Sequence, residues 1–181
     1  MSELASQPLD RHPPNQQPVP LARDHAPLLW AVLGLSAALM LALPWLPGGD
    51  KPLPPLPAAL LSLSGLALLV FFASLPRRLG YAFTPEGLRV SRFSGTQVWP
   101  YASLEVVSVG GELGLKLGGV GVPGYYTGTY GWRGPEAKAV QALASTTRGG
   151  VLLRRKGTLH YLTPADPVGF VEVLGEASSK L

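Results

Sequence analysis

The sequence predicts a membrane α-helical hairpin followed by a mainly-β antiparallel barrel or sandwich that a C-terminal helix caps. Three observations predict it. Two long apolar stretches between residues 26 and 76 carry no charge outside the short turn that separates them. From about residue 79 the apolar residues come instead in short runs between turn signals, as antiparallel strands do. The last segment spaces its apolar residues three and four apart, the repeat of a one-sided helix. Composition agrees. Of 181 residues, 46% are apolar and only 14% charged, against roughly 25% charged in an ordinary soluble domain.

Residues 1–25 read as a disordered polar tail. Pro8, Pro13, Pro14, Pro18 and Pro20 deny it a helix, and Gln, Asn and Ser give it little to bury. Residues 26–46 read as a first transmembrane helix. At 1.5 Å per residue these 21 residues reach about 31 Å, the thickness of the hydrocarbon core. Pro27 sits in the first turn, where its missing N–H costs nothing, and Trp30 and Trp45 fall where indole rings prefer the headgroup zone. Residues 47–55 form a short outside turn, and residues 56–75 a second transmembrane helix of 20 residues. Ser62, Ser64 and Gly65 are small enough to let the two helices approach. The first stretch is too long, and follows too long a mixed-charge tail, for a cleaved signal.

Basic residues set the expected orientation. Arg77 and Arg78 abut the second span and Arg23 precedes the first, whereas the turn has only Lys51 beside Asp50. Both termini are therefore expected in the cytoplasm, in a multi-pass protein of the cell's inner membrane.

Residues 79–181 are read as one cytoplasmic domain. Strands are expected over 81–84, 88–93, 96–99, 104–109, 125–132, 138–143, 151–155 and 158–162, broken by Pro85-Glu86-Gly87, Ser94-Gly95 and Pro100. Gly110 to Gly124 reads as an apolar loop. The terminal helix is expected from Pro164 to Glu176, with Asp166-Pro167 as an alternative start, and with Val168, Phe170, Val171 and Leu174 as its buried stripe.

From Tyr81 to about Leu174 the chain resembles the bacterial pleckstrin-homology-like domains that follow membrane hairpins. Three patches carry the resemblance: YAFTPEGLRVSRFSG with VWPYASLEVV, GGVGVPGYYTGTYGW, and GVLLRRKGTLHYLTPADPVGFVEVL. The resemblance implies a two-sheet PH-like barrel with a helical cap, a scaffold for binding or assembly, and no catalytic residue. Many eukaryotic relatives of that fold hold inositol phosphates on basic residues around the first hairpin. Here that hairpin, Thr84-Pro85-Glu86-Gly87, has an acid and no base, so headgroup recognition is not carried over.

Several chemistries are excluded or weakly signalled. Without cysteine there is no disulfide framework, thiolate metal site or cysteine nucleophile. Gly119, Gly121 and Gly124 fit G-x-G-x-x-G, but a Tyr-Tyr strand rather than a helix follows, so no dinucleotide site is expected. His160 reads as a sheet-surface residue, Asp166 as a helix-start residue, and Tyr125, Tyr126, Tyr130 and Trp132 as sheet faces. From Arg77 onward there are twelve basic and seven acidic residues. The densest basic run is Arg154-Arg155-Lys156. With Arg77 and Arg78, and with Leu115, Leu117, Val120 and Val122 of the apolar loop, it makes the candidate surface for lipid or partner contact.

The expected role is a membrane-anchored noncatalytic interaction or assembly module at the cytoplasmic face. Its partners are the lipid bilayer and a protein partner or a second copy of itself, with no catalytic residue, cofactor, metal, nucleic acid or small-molecule substrate. The alternatives are a peripheral domain that senses anionic lipid and, behind it, a membrane enzyme.

Overall fold

The computed structural model describes residues 16–23, 27–42, 45 and 54–179. Most of the expected disordered tail, the end of the expected first span and nearly all of the outside turn lie outside these residues.

Two helices come first, α1 (Pro27–Ala42) and α2 (Pro55–Ser74). They pack antiparallel. The Trp45 indole N–H donates to Ser62 Oγ at 3.1 Å, Ser62 Oγ donates to the Leu41 carbonyl at 3.2 Å, and Gly65 lies against Met40. Ala37 and Ala58 are buried in the seam. Small residues thus set the approach, as the sequence suggests. Among the described residues one helical run, Pro55–Arg78, is long and apolar enough to cross a membrane; α1, with 16 residues, is shorter.

The rest is mainly β. The strands are β1 (Gln17–Val19), β2 (Gly80–Thr84), β3 (Gly87–Arg92), β4 (Gly95–Trp99), β5 (Leu104–Val109), β6 (Leu113–Lys116), β7 (Val120–Val122), β8 (Tyr125–Trp132), β9 (Ala139–Ala144), β10 (Val151–Arg155) and β11 (Thr158–Leu162). One sheet has the order β1-β2-β3-β4; the other has β5-β10-β11-β9-β8-β6, with β7 also paired to β8. The two sheets face each other without closing into a barrel. Leu88, Val90 and Trp99 of the first pack with Leu143, Val151, Leu153 and Leu162 of the second. A second cluster, with Tyr126, Tyr130, Trp132, Leu152 and Tyr161, fills the other face of the larger sheet. Helix α3 (Pro167–Ser179) lays Phe170 and Leu174 into the layer between the sheets.

Several expectations need correction. Within the tail, Gln17–Val19 form a strand, and Ala22 N–H donates to the Thr163 carbonyl at 3.0 Å. Prolines rule out a helix, but an edge strand tolerates them because its outer face needs no donors. The sheets are not wholly antiparallel, since β9 and β11 run parallel. The apolar loop contains β6 and β7. Helix α3 takes the later start: Asp166 Oδ1 accepts from Gly169 N–H at 3.0 Å, capping the helix ahead of Pro167. Val168 is 61% exposed and so does not belong to the buried stripe.

Candidate functional site

Strand alternation distributes the basic residues. Successive side chains of a strand point to opposite faces. On β10, Val151 and Leu153 face the other sheet, which puts Arg155 on that inner side, whereas Arg154 lies on the opposite side and pairs with Glu105 at 2.8 Å. Lys156 occupies the β10–β11 turn at φ 48° and is exposed. The run Arg154-Arg155-Lys156 is therefore not one cationic surface.

The same alternation brings other residues to Arg155. Leu88, Val90 and Arg92 share the inner face of β3; Gln97 and Trp99 share that of β4; Gln141 and Leu143 share that of β9; His160 and Leu162 share that of β11. Where the apolar residues end, a pocket of about 160 Å³ opens between the sheets, lined by Arg92, Gln97, Trp99, Gln141 and His160 among others. Trp99 is its fully buried wall. The Arg155 guanidinium lies 5.0 Å from the Trp99 ring centre and the His160 ring 4.7 Å from it, so the indole orders both. No carboxylate lines the pocket. Burial, then the positive charges of Arg155 and Arg92, push His160 down to about 4, which leaves it neutral at neutral pH. His160 thus faces the space between the sheets, half-buried, rather than the outer surface of a sheet.

Arg155 and His160 also carry unmet hydrogen-bonding capacity. His160 Nδ1 and Arg155 Nε are buried without a hydrogen-bond partner among the described residues. Arg89 Nε and Ser108 Oγ share this state, whereas the hydroxyls of Tyr81 and Tyr161 are satisfied. Tyr81 donates to the Leu143 carbonyl, and Tyr161 accepts from Gly150 N–H at 2.8 Å. Burial raises the Tyr81 hydroxyl well above its ordinary value and Tyr161 to about 12.

Arg77 and Arg78 sit in a 3-10 turn, Leu75–Arg78, that joins α2 to β2, and both are exposed. The Arg78 guanidinium lies 5.5 Å from the Phe93 ring centre, and Phe93 meets Phe71 of α2 edge-on at 5.2 Å. The β3–β4 turn therefore rests on the end of α2. Leu115 and Leu117 are 79% and 60% exposed, Val120 is partly buried and Val122 is buried. Of the expected apolar contact residues, only the two leucines present a free surface.

Sequence reasoning missed Arg92, Gln97, Trp99, Gln141 and His160 as a group. The period-two pattern already puts Arg92 with Val90 and Arg155 with Leu153. The convergence of β3, β4, β9, β10 and β11 depends on tertiary pairing.

The described residues hold no group of three or more His, Cys, Asp or Glu suited to a metal ion. Residues 79–177 match the family model described as a bacterial PH domain. No curated protein and no solved structure matches the chain.

Proposed function

The chain belongs to the bacterial PH domain family, and from that premise we propose that it is a noncatalytic interaction module anchored in a membrane by its helical hairpin. The family suggests an interaction module; anchoring and orientation are our reading.

One observation carries the placement of both chain ends on one side. Strand β1, before the hairpin, pairs with β2, after it. The chain leaves the β domain along α1 and returns to it along α2, so helices that cross a bilayer leave both chain ends on one side. The helix surfaces support the reading. Leu35, Leu39, Leu56, Leu60, Leu63 and Val70 are each more than half exposed, and apolar surface of that extent needs cover. A bilayer covers it with no demand on the backbone, whose polar groups each helix satisfies internally. The basic residues Arg77 and Arg78 at the domain end favour the cytoplasmic side.

The partner surface we assign to Leu115 and Leu117, the two most exposed apolar side chains of the β domain's edge strands and turns. The experiment is photocrosslinking in intact membranes with a photoreactive residue at position 115 or 117. A specific adduct, with another protein or a second copy, is the expected result. Monomer alone at every expression level refutes the interaction role. Release of the full chain from membranes by alkaline carbonate refutes the anchor.

A further inference from the structure

We infer that the pocket between the sheets binds a small tetrahedral oxyanion, inorganic phosphate or a phosphate monoester, through Arg92 and His160 of its lining and through Arg155, which is not a lining residue but stacks on the pocket's Trp99 wall.

The charge balance of the arginines points there. Arg133 and Arg148 share Glu112, each at 3.1 Å, and Arg154 holds Glu105. Arg92 and Arg155, which flank His160, have no carboxylate partner among the described residues. Two like charges drawn together beside a half-buried imidazole are unfavourable unless an anion sits among them. Arginine is also the side chain whose planar donor fork matches phosphate oxygens.

The unmet polar atoms point the same way. A buried polar atom left unpaired costs free energy, so natural structures rarely keep one without a ligand, an ion or a water. Of the four such atoms among the described residues, Arg89 Nε and Ser108 Oγ stand singly, whereas Arg155 Nε and His160 Nδ1 belong to the pair of side chains that pack on Trp99. Gln97 and Gln141 line the same space from facing sheets. The volume, about 160 Å³, exceeds the roughly 10–15 Å³ one water needs and admits a tetrahedral anion with water. Stacking on Trp99 holds Arg155 in place before any ligand arrives, which lowers the ordering cost of binding.

The site is not at the Thr84–Gly87 turn. Arg92 stands at the other end of β3, next to Phe93, which rests on α2. Free phosphate and the phosphate of a lipid headgroup share the chemistry that this position would recognise. The inference does not depend on the hairpin crossing a membrane, since free phosphate reaches the pocket in either case.

The test uses the full-length chain in detergent, labelled at histidine for NMR. The chain has three histidines, His12, His25 and His160, and His160→Gln identifies the third signal. Inorganic phosphate is titrated at constant ionic strength against chloride. The expected result is a saturable shift of the His160 signal alone, with its pKa rising from about 4. Arg92→Gln and Arg155→Gln should each weaken binding about tenfold or more while the far-UV spectrum stays unchanged. If either variant unfolds, the wild-type titration decides. A second arm places the protein in phosphatidylcholine nanodiscs with or without phosphatidic acid and without free phosphate. A His160 shift in the phosphatidic acid discs alone identifies the lipid phosphate as the source. No saturable shift with phosphate or phosphatidic acid overturns the inference, and so does an equal shift with chloride.

Discussion

Val19, which precedes both helices in the chain, lies directly opposite Tyr81, which follows them, in an antiparallel strand pair. The contact extends beyond the strand. Leu21 bridges to Pro164, Ala165 N–H donates to the Pro20 carbonyl at 2.8 Å, and Ser145 Oγ donates to the Ala22 carbonyl at 2.7 Å. The segment before the helices is therefore part of the β domain.

Ser145 is the side chain that ties this segment down. It is 4% exposed, and its hydroxyl also meets Thr163 Oγ1 at 2.9 Å. Ser145→Ala leaves the Ala22 carbonyl and Thr163 without that partner and should cost about 1–3 kcal/mol. Denaturant unfolding measures the loss. Hydrogen exchange should quicken over residues 16–22 more than in β10 or β11.

Met40 and Gly65 should report the helix packing. A Cβ built on Gly65 falls 3.0 Å from Met40 Cβ, somewhat closer than the ~3.5–4.5 Å typical of a disulfide's Cβ atoms and within reach of a small shift. The chain has no cysteine of its own. Met40→Cys with Gly65→Cys should form an intramolecular bridge on mild oxidation, visible as a reducible change in gel mobility. Leu35→Cys with Leu63→Cys, at outward positions that are 63% and 62% exposed, should not.

Gly87 follows the Pro85-Glu86 turn at φ 149°, and a Cβ there would lie 2.2 Å from the Trp99 carbonyl oxygen. The obstacle is backbone, which cannot swing away as a side chain can. Gly87→Ala should therefore separate β3 from β4 locally and cost about 2 kcal/mol or more. A lowered Tm checks this, together with weaker protection of the β3–β4 pair in hydrogen exchange.

His160 makes the fold acid-sensitive. Its pKa is about 4 in the folded chain against an ordinary 6.5. Between those values the unfolded chain binds a proton that the folded chain refuses, so stability falls as pH drops from about 6.5 towards 4. Above 6.5 this contribution is constant. His160→Gln should flatten that part of the stability curve relative to wild type, measured by thermal unfolding across the range.

Much of the fold was legible in the residues. The alternation Leu88-Arg-Val90-Ser-Arg92, the turn at Lys156-Gly157 and the spacing of Phe170 and Leu174 are local signals, and each marks a real element. Tyr125, Tyr126, Tyr130 and Trp132 are buried in β8, as aromatic strand residues should be. What failed was long-range. Proline suppresses the usual strand signal of Gln17–Val19, whose pairing partner lies beyond two helices. Glycines Gly114 and Gly119 hid β6 and β7, where the backbone approaches Thr127–Gly131 closely. The basic run at 154–156 drew attention by sequence proximity, although alternation sends Arg154 and Arg155 to opposite faces. The pocket had no sequence signature, because its side chains come from strands far apart in the chain.

The strand pair across the helices also decides how the two helices can be removed from this protein. A cut just after Arg78 strips β1 from its neighbour and bares the main-chain groups of β2, an open template for sticking to other copies. Because Val19 and Tyr81 already stand side by side, a few flexible residues joining position 23 to position 79 would splice out the greasy insert and keep the seam shut. That spliced chain, rather than the C-terminal fragment, is the water-friendly surrogate the architecture invites.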